Sequence, residues 1–448
     1  MPRIRRTGLT TKSDRQTTVA IVGGGASGTI LAAQLARRGI RSALIDGSGR
    51  MGRGVAYSTT EAAHLLNVRA EGMSALAGEP GHFAKRFEAE GGDPRGFAQR
   101  RFFAQYLGEV LREAVASGCL ERVEATAVAG HRNDEGWQII FDDGSSLAAR
   151  ALVLAVGNQE PEALRAFDAV GPRFVRNPWG ADSRGAVEQL ARSGEAALLV
   201  GTGLTMVDLV LSLDSAGHQG RIVALSRRGL APRAHAEFVP APVEHEDLPS
   251  GLRAVFRWLR KRGAEVGWRA AVDSLRPHSH PLWQNFTADE QRRFLRHARP
   301  WWDVHRHRIA PEVAAIVARA IADGRLEIVA GRILAARDTA SGIEVDYRRR
   351  AASQLRTETF GFAFNCTGPL HSIARSKDPL LRSLLDAGHV RPDHLGIGLQ
   401  IDGTCRAGEH LWAMGPLTKG RYWEIIAVPD IREQAAAVAE SIERELHA

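Results

Sequence analysis

The stretch VAIVGGGASG, residues 19–28, decides how the rest of the chain is read. TVAIV (18–22) is an apolar run of strand length, and ASGTILAAQLARR (26–38) has helical spacing stopped by Gly39. SALID (42–46) reads as a second strand. Together they make a βαβ unit. Gly23, Gly25 and Gly28 hold the G-x-G-x-x-G spacing, which serves a tight turn, close approach of a pyrophosphate to the backbone, and close helix packing. The helix N-terminus, at Ala26 and Ser27, offers free N–H groups to phosphate oxygens. Asp46 ends the second strand about twenty residues on, where a carboxylate accepts hydrogen bonds from adenosine ribose hydroxyls.

A second such turn lies in LLVGTGLTMVD, residues 198–208. AALLV (196–200) reads as a strand, Gly201 and Gly203 keep the first two positions, and Thr205 to Leu213 reads as a helix. Met206 replaces the third glycine, which is expected to loosen helix packing slightly while leaving the phosphate-facing turn. The next strand, RIVALS (221–226), runs into Arg227 and Arg228 where the first unit has an acid. An acid selects a free ribose 2′-OH, whereas arginines suit a 2′-phosphate, so the second site is expected to prefer NADPH over NADH. The plainer reading of the two arginines is a solvated strand end. With opposite charge at the two sites, the expected cofactors are FAD, kept by the first turn, and NADPH, which visits the second and reduces it.

ALVLAVGN (151–158) and FGFAFNCTGP (360–369) each read as a strand followed by a glycine turn, at Gly157 and Gly368, and they flank the second unit. Either glycine lets backbone pass close to a cofactor or a domain junction, or it is ordinary turn chemistry. The expected fold class is α/β, with two Rossmann-like dinucleotide-binding domains, the NADPH domain inserted in the FAD domain, and a helical insertion. The expected divisions are a disordered basic tail over 1–16, an FAD domain over 17–160 and 359–448, an NADPH domain over 161–250 and 312–358, and the helical insertion over 251–311.

Composition narrows the classes. The 448 residues, 44% hydrophobic and 25% charged, are those of a globular chain of two or three domains. No apolar run approaches the ~20 residues that span a bilayer, and the basic N-terminus lacks a secretory apolar segment, so a cytoplasmic protein without a membrane partner is expected. The net charge of +8 is scattered rather than gathered into a nucleic-acid signature, and no nucleic-acid partner is expected. Cys119, Cys366 and Cys405 have neither disulfide-framework nor redox-dithiol spacing.

These stretches resemble the two-dinucleotide-binding flavoproteins, and more narrowly the FAD-NAD(P)-binding family of the bacterial YdhS type. The resemblance covers most of the chain. Beyond GGGASG it rests on GRGVAYSTTEAAHLLNVRAEGMSAL (52–76), LLVGTGLTMVD, RPWWDVHRHRIAP (299–311), FNCTGP and GPLTKGRYWEIIAVPDIREQA (415–435). Gly52 and Gly54 are expected to bring backbone N–H groups against the flavin diphosphate, and His64, Asn67 and Met73 to line the flavin ring. A packed loop with a satisfied histidine is the other reading of His64. Related flavoproteins have Gly-Asp where this chain has Gly415-Pro416, so the ribityl contact passes to backbone or to Thr418. Pro429 and Asp430 precede a helix whose N-terminus stabilises negative charge on a reduced flavin.

Five of the nine tryptophans fall in the insertion: Trp258, Trp268, Trp283, Trp301 and Trp302. FTADEQRRFLRHARPWWDVHRHR (286–308) has helical spacing with Thr287 as N-cap. Most of these tryptophans read as helical core. Trp302, His305 and Arg306 are the substrate candidates, because flat rings and a guanidinium hold a planar or carboxylated molecule. His297, His305 and His307 lack a carboxylate partner pattern, so no metal is expected.

Relatives of this general architecture include flavin N-hydroxylases and a bacterial urate hydroxylase. The resemblance thus implies a flavin monooxygenase acting on a small polar molecule (amine, amino acid or purine) through a C4a-hydroperoxyflavin formed from O₂. Two other readings stand beside it: an NADPH-dependent reductase that passes electrons to a quinone, dye or protein, and a redox sensor that binds FAD without turnover. Fold alone hosts all three.

Overall fold

A computed structural model of the chain describes residues 15–369 and 372–447. The strands are β1 (Arg15–Val22), β2 (Ser42–Ile45), β3 (Leu120–Val123), β4 (Ala127–Asn133), β5 (Gly136–Phe141), β6 (Ser146–Leu154), β7 (Phe174–Val175) and β8 (Ala197–Val200). They continue with β9 (Ile222–Ser226), β10 (Leu326–Thr339), β11 (Gly342–Arg349), β12 (Leu355–Phe360), β13 (Phe362–Asn365), β14 (Arg406–Gly408) and β15 (Leu411–Ala413). Five helices matter below: α1 (Ala26–Arg37), α2 (Arg100–Ala116), α3 (Leu204–Ser215), α4 (Arg299–Arg306) and α5 (Val428–His447). The tail expected over 1–16 lies, as far as residue 14, outside the described residues, and Arg15 and Gln16 already belong to β1. Among the described residues no helix is long and apolar enough to cross a membrane.

Two sheets share one plan. The first runs β14-β15-β6-β1-β2-β3, with the hairpin β4–β5 added antiparallel to β6. The second runs β12-β11-β10-β9-β8-β13-β7, parallel from β10 to β7. In the first, β1 lies between β2 and β6; in the second, β8 lies between β9 and β13. Each glycine turn therefore leaves its central strand at the point where strand order reverses, the crevice where open α/β sheets bind ligands. The α/β class with two Rossmann-like units is the observed fold.

The plan reassigns one segment. β13, from FGFAFNCTGP, pairs with β7 and β8 and so belongs to the second sheet, whereas the expected division at residue 359 places it in the first domain. It is the second unit's counterpart of β6, and the chain rejoins the first sheet only at β14 and β15. Sequence could not separate the two readings because both require an apolar strand followed by a glycine turn.

Packing follows from where the apolar faces point. α1 is buried from Ser27 to Ala36 because the first sheet covers one side and α2 and α5 the other, so it is apolar almost all round. Met206 is fully buried in the second core, filling the place of the missing third glycine. The insertion is helical as expected, and Thr287 caps Ala288–Arg293 in a capping box with Glu290. Beyond it the helix widens to a π turn at Phe294–Ala298 before α4.

Candidate functional site

The first glycine turn is built by backbone crowding. Gly23 has φ +109°, and a Cβ there would lie 2.4 Å from the Ala155 carbonyl oxygen, just past β6. Gly201 repeats this in the second unit, with φ +121° and a Cβ position 2.2 Å from the Cys366 carbonyl oxygen, just past β13. Only glycine fits either place. At the mouths of the turns there is room: a Cβ on Gly25 would meet Gly54 Cα at 3.6 Å, and one on Gly203 would meet nothing within 4 Å. Gly25 and Gly203 are the N-cap residues of α1 and α3, and neither helix has a side-chain cap. The first amides of both helices, including those of Ala26, Ser27, Gly28 and Thr205, thus lack intrahelical acceptors and are open to phosphate oxygens. Among the described residues the hydroxyl of Thr205, in the first turn of α3, has no hydrogen-bond partner.

Asp46 follows β2, as Arg227 and Arg228 follow β9. Asp46 Oδ2 accepts the Gly24 amide at 2.7 Å, and Oδ1 accepts the Ser48 amide and hydroxyl. That clasp aims the carboxylate at the first turn. Arg227 is exposed and, among the described residues, pairs with no carboxylate. Arg228 donates through Nη2 to the Arg296 carbonyl at 3.3 Å. Pro300 explains that acceptor, since it has no amide to return to the carbonyl four residues earlier. The residues present therefore fit an adenine dinucleotide at each turn.

The C-terminal block closes on the first turn. Gly415 has φ +61°, its Cβ position lies 2.8 Å from Ser27 Oγ, and its amide donates to Gln434 Oε1 at 2.7 Å. Thr418 does not keep a free hydroxyl for a ribityl chain. Its Oγ1 donates to the Gly415 carbonyl and accepts from Gln434 Nε2, and the side chain is fully buried. Pro429 and Asp430 lie inside the first turn of α5 rather than before it. Pro429 is within reach of Gly72, which brings residues 70–73 to the head of that helix.

Other residues of the 52–76 stretch are placed differently from expectation. The amides of Gly52 and Gly54 donate to the Gly24 and Arg50 carbonyls at 2.8 Å, so these glycines pack on the first turn instead of presenting N–H groups to a ligand. Met73 is buried in the first core. Asn67 engages through its backbone carbonyl, which accepts from His235 Nε2 at 3.1 Å. His64 is the satisfied histidine: Nδ1 meets Thr59 Oγ1 at 2.8 Å and Nε2 meets the Asp208 carbonyl at 2.9 Å. It ties the first unit to α3 of the second. Gly157 and Gly368 have φ +71° and +87° and open space around them, in the loops after β6 and β13.

In the insertion, the two faces of α4 part company. Trp302 Nε1 donates to Glu424 Oε1 at 2.6 Å, and Arg306, four residues on, donates to Glu424 Oε2 at 3.0 Å. Burial pushes the Glu424 carboxyl up, but Arg306, His307 and the bond from Trp302 outweigh it and hold it below the usual range. Both side chains are thereby spent on anchoring the insertion to the C-terminal block. Trp301, Val304 and His305 lie on the other face and line a cavity of about 520 Å³. Of the three substrate candidates, His305 alone lines that cavity; Trp302 faces a narrower apolar pocket beside Trp283 and Phe256.

Four residues that the sequence reading passed over matter here. Arg100 and Asp208 join α2 to α3 across the two units by paired bonds of 2.8 and 2.9 Å. Lys419 Nζ reaches Asn158 Oδ1 at 3.2 Å, and burial, with Arg299 beside it, brings the amine down to about 8. His235, on the loop after β9, is pushed down to about 4 by burial, against the bond to Asn67, with Arg308 and Arg69 adding repulsion. An unfolded histidine titrates near 6.5, so between pH 6.5 and 4 the unfolded chain binds the extra proton and stability falls as pH falls. The urea midpoint should therefore drop from pH 7 to pH 5, and His235→Gln should flatten that drop.

Two glycine-turn units, each at the switch point of its own sheet, define a two-dinucleotide-binding-domain protein. Residues 20–159 match the model of the FAD-NAD(P)-binding family, in accord with the expected cofactors, FAD and NADPH. Among solved structures, the chain is similar to L-lysine 6-monooxygenase from Pseudomonas syringae, at 18% identity and TM-score 0.67, covering 96% of this chain and 99% of that one. It is also similar to an ornithine N-hydroxylase from Kutzneria sp. 744, solved with reduced FAD, NADP⁺ and L-ornithine, at 14% identity and TM-score 0.66, covering 96% and 100%. A thioredoxin reductase from T. acidophilum is similar at 11% identity and TM-score 0.56, covering 97% and 100%. At these identities the likeness is one of fold. No curated protein matches the chain in sequence.

Proposed function

We propose that the chain is an FAD-dependent NADPH oxidoreductase of the YdhS type that hydroxylates a small polar molecule with O₂. The observation that carries this reading is the pair of open, uncapped glycine turns, one backed by Asp46 and the other by Arg227 and Arg228. Bound FAD would supply the oxygen chemistry. The protein's part is to hold both nucleotides, to close the first turn with Gly415, and to shield the reaction with the insertion anchored at Glu424. The thiols favour this over disulfide reduction: Cys366 and Cys405 are buried and unpaired, and burial pushes both up, Cys405 to about 11.

The test is the visible spectrum of the purified protein before and after anaerobic NADPH, followed by oxygen with amines, amino acids and purines. Bleaching by NADPH and hydroxylated product matched to NADPH consumed support the reading; peroxide alone with every compound overturns it. Cofactor choice has its own check. Arg227→Ala should raise KM for NADPH about tenfold, the loss of one charge-assisted bond of ~1.5 kcal/mol, and leave that for NADH unchanged. Arg228→Ala should act less, because its guanidinium is shared with Arg296.

A further inference from the structure

The cavity lined by Trp301, Val304 and His305 is bounded opposite α4 by residues 229–234, the loop that follows Arg228, and by Trp268 and Arg269. Its volume, about 520 Å³, suits a small organic ligand. Its charge is one-sided. The guanidiniums of Arg233, Arg269 and Arg308 lie 5.7, 4.3 and 6.0 Å from the Trp268 ring centre. Among the described residues, Asp273 is the one carboxylate paired with any of them, through Arg308. Arg269 Nε has no acceptor among the described residues, while its Nη2 donates to the Ala234 carbonyl at 3.1 Å; Arg308, outside the lining and 4% exposed, has Nε and Nη1 likewise without one. Buried N–H donors left unpaired are destabilising, and an acceptor that reaches them recovers the loss. Trp301 stands 48% exposed at the rim.

We propose that this cavity binds a planar arene carboxylate, the carboxylate meeting Arg269 and Arg233 and the ring lying against Trp301, with His305 beside it. A diamine or diamino acid fits poorly, because its second ammonium would enter beside Arg233 and Arg269 with no acid among the lining residues to receive it. As the substrate of the hydroxylation proposed above, a further step that rests on that reading, the bound molecule would gain one atom of O₂. The other atom would leave as water, with NADPH and a proton supplying the two electrons and two hydrogens.

Calorimetric titration of the FAD-loaded protein, without NADPH, tests the binding apart from turnover. Benzoate and 4-hydroxybenzoate are expected to bind at least about tenfold more tightly than L-lysine or L-ornithine, and Arg269→Gln to weaken them about tenfold with the flavin spectrum unchanged. Absence of binding, or binding indifferent to Arg269→Gln, overturns the assignment. So does displacement of 4-hydroxybenzoate by 2′,5′-ADP, which would make the cavity part of the nucleotide site beside Arg228. Arene carboxylate binding accompanied by peroxide alone would uphold the cavity and reject the hydroxylase reading; hydroxylation of other compounds without such binding would do the reverse.

Discussion

Gly28→Ala should yield protein that purifies almost without flavin. A Cβ at this position would sit 1.9 Å from the Gly23 carbonyl oxygen and 3.1 Å from its carbonyl carbon, and neither is the end of a flexible side chain. The overlap can be relieved only by lifting α1 off β1 or by reshaping the turn. α1 cannot lift freely, since it is buried along nearly its whole length between the sheet, α2 and α5. Reshaping the turn displaces the amides of Ala26 and Ser27 that would meet the pyrophosphate. We expect FAD retention, read from the ratio of visible to ultraviolet absorbance, to fall by at least about tenfold, and stability by roughly 3 kcal/mol or more, the range of severe backbone conflicts. Gly203→Ala is the contrast, because its methyl group meets no protein atom within 4 Å. It should fold and stay yellow yet be reduced more slowly by NADPH, the methyl standing where phosphate approaches. A Gly28→Ala protein that keeps its colour would refute the placing of FAD on the first turn.

Asp208→Ala should cost about 3–5 kcal/mol, the usual penalty for stripping one partner from a buried ion pair. Asp208 and Arg100 are 7% and 15% exposed, and the guanidinium grips both carboxylate oxygens. Without the acid, a charge stays in an interface that the Asp208 carbonyl and His64 also help to close. Since the pair spans the two units, urea unfolding should lose cooperativity as well as midpoint, and two probes, one per unit, should separate. The double change Arg100→Met with Asp208→Leu should recover most of the loss, because it leaves no unpaired charge. A loss below about 1 kcal/mol for Asp208→Ala would mean the pair is solvated and the units are held by apolar contact alone.

Much of the candidate site was legible in the chain because it is local. A glycine turn between strand and helix, an acid or a pair of arginines at the end of the next strand, and an N-cap at Thr287 each depend on sterics and hydrogen bonds within a few residues. His64 was not, since one turn of sequence shows an imidazole but not that Asp208, 144 residues away, supplies an acceptor for it. Trp302 and Arg306 misled for the same reason. Their partner Glu424 is more than a hundred residues distant, an isolated acid in an apolar stretch that could have hinted at a buried cation. Thr418 reads as a free hydroxyl until Gln434 of α5 is folded over it.

What the amino-acid order determined by itself was the two βαβ units, their glycine turns and the contrast between Asp46 and Arg227–Arg228, because backbone crowding and helix-end amides act over short distances whatever surrounds them. Tertiary structure alone decided that β13 completes the second sheet, that α4 spends one face on Glu424 and opens the other to a cationic cavity, and that Arg100 and Asp208 lock the units together. Strand order, burial and charge pairing are properties of residues far apart in the chain, and no local pattern records which distant group will satisfy which.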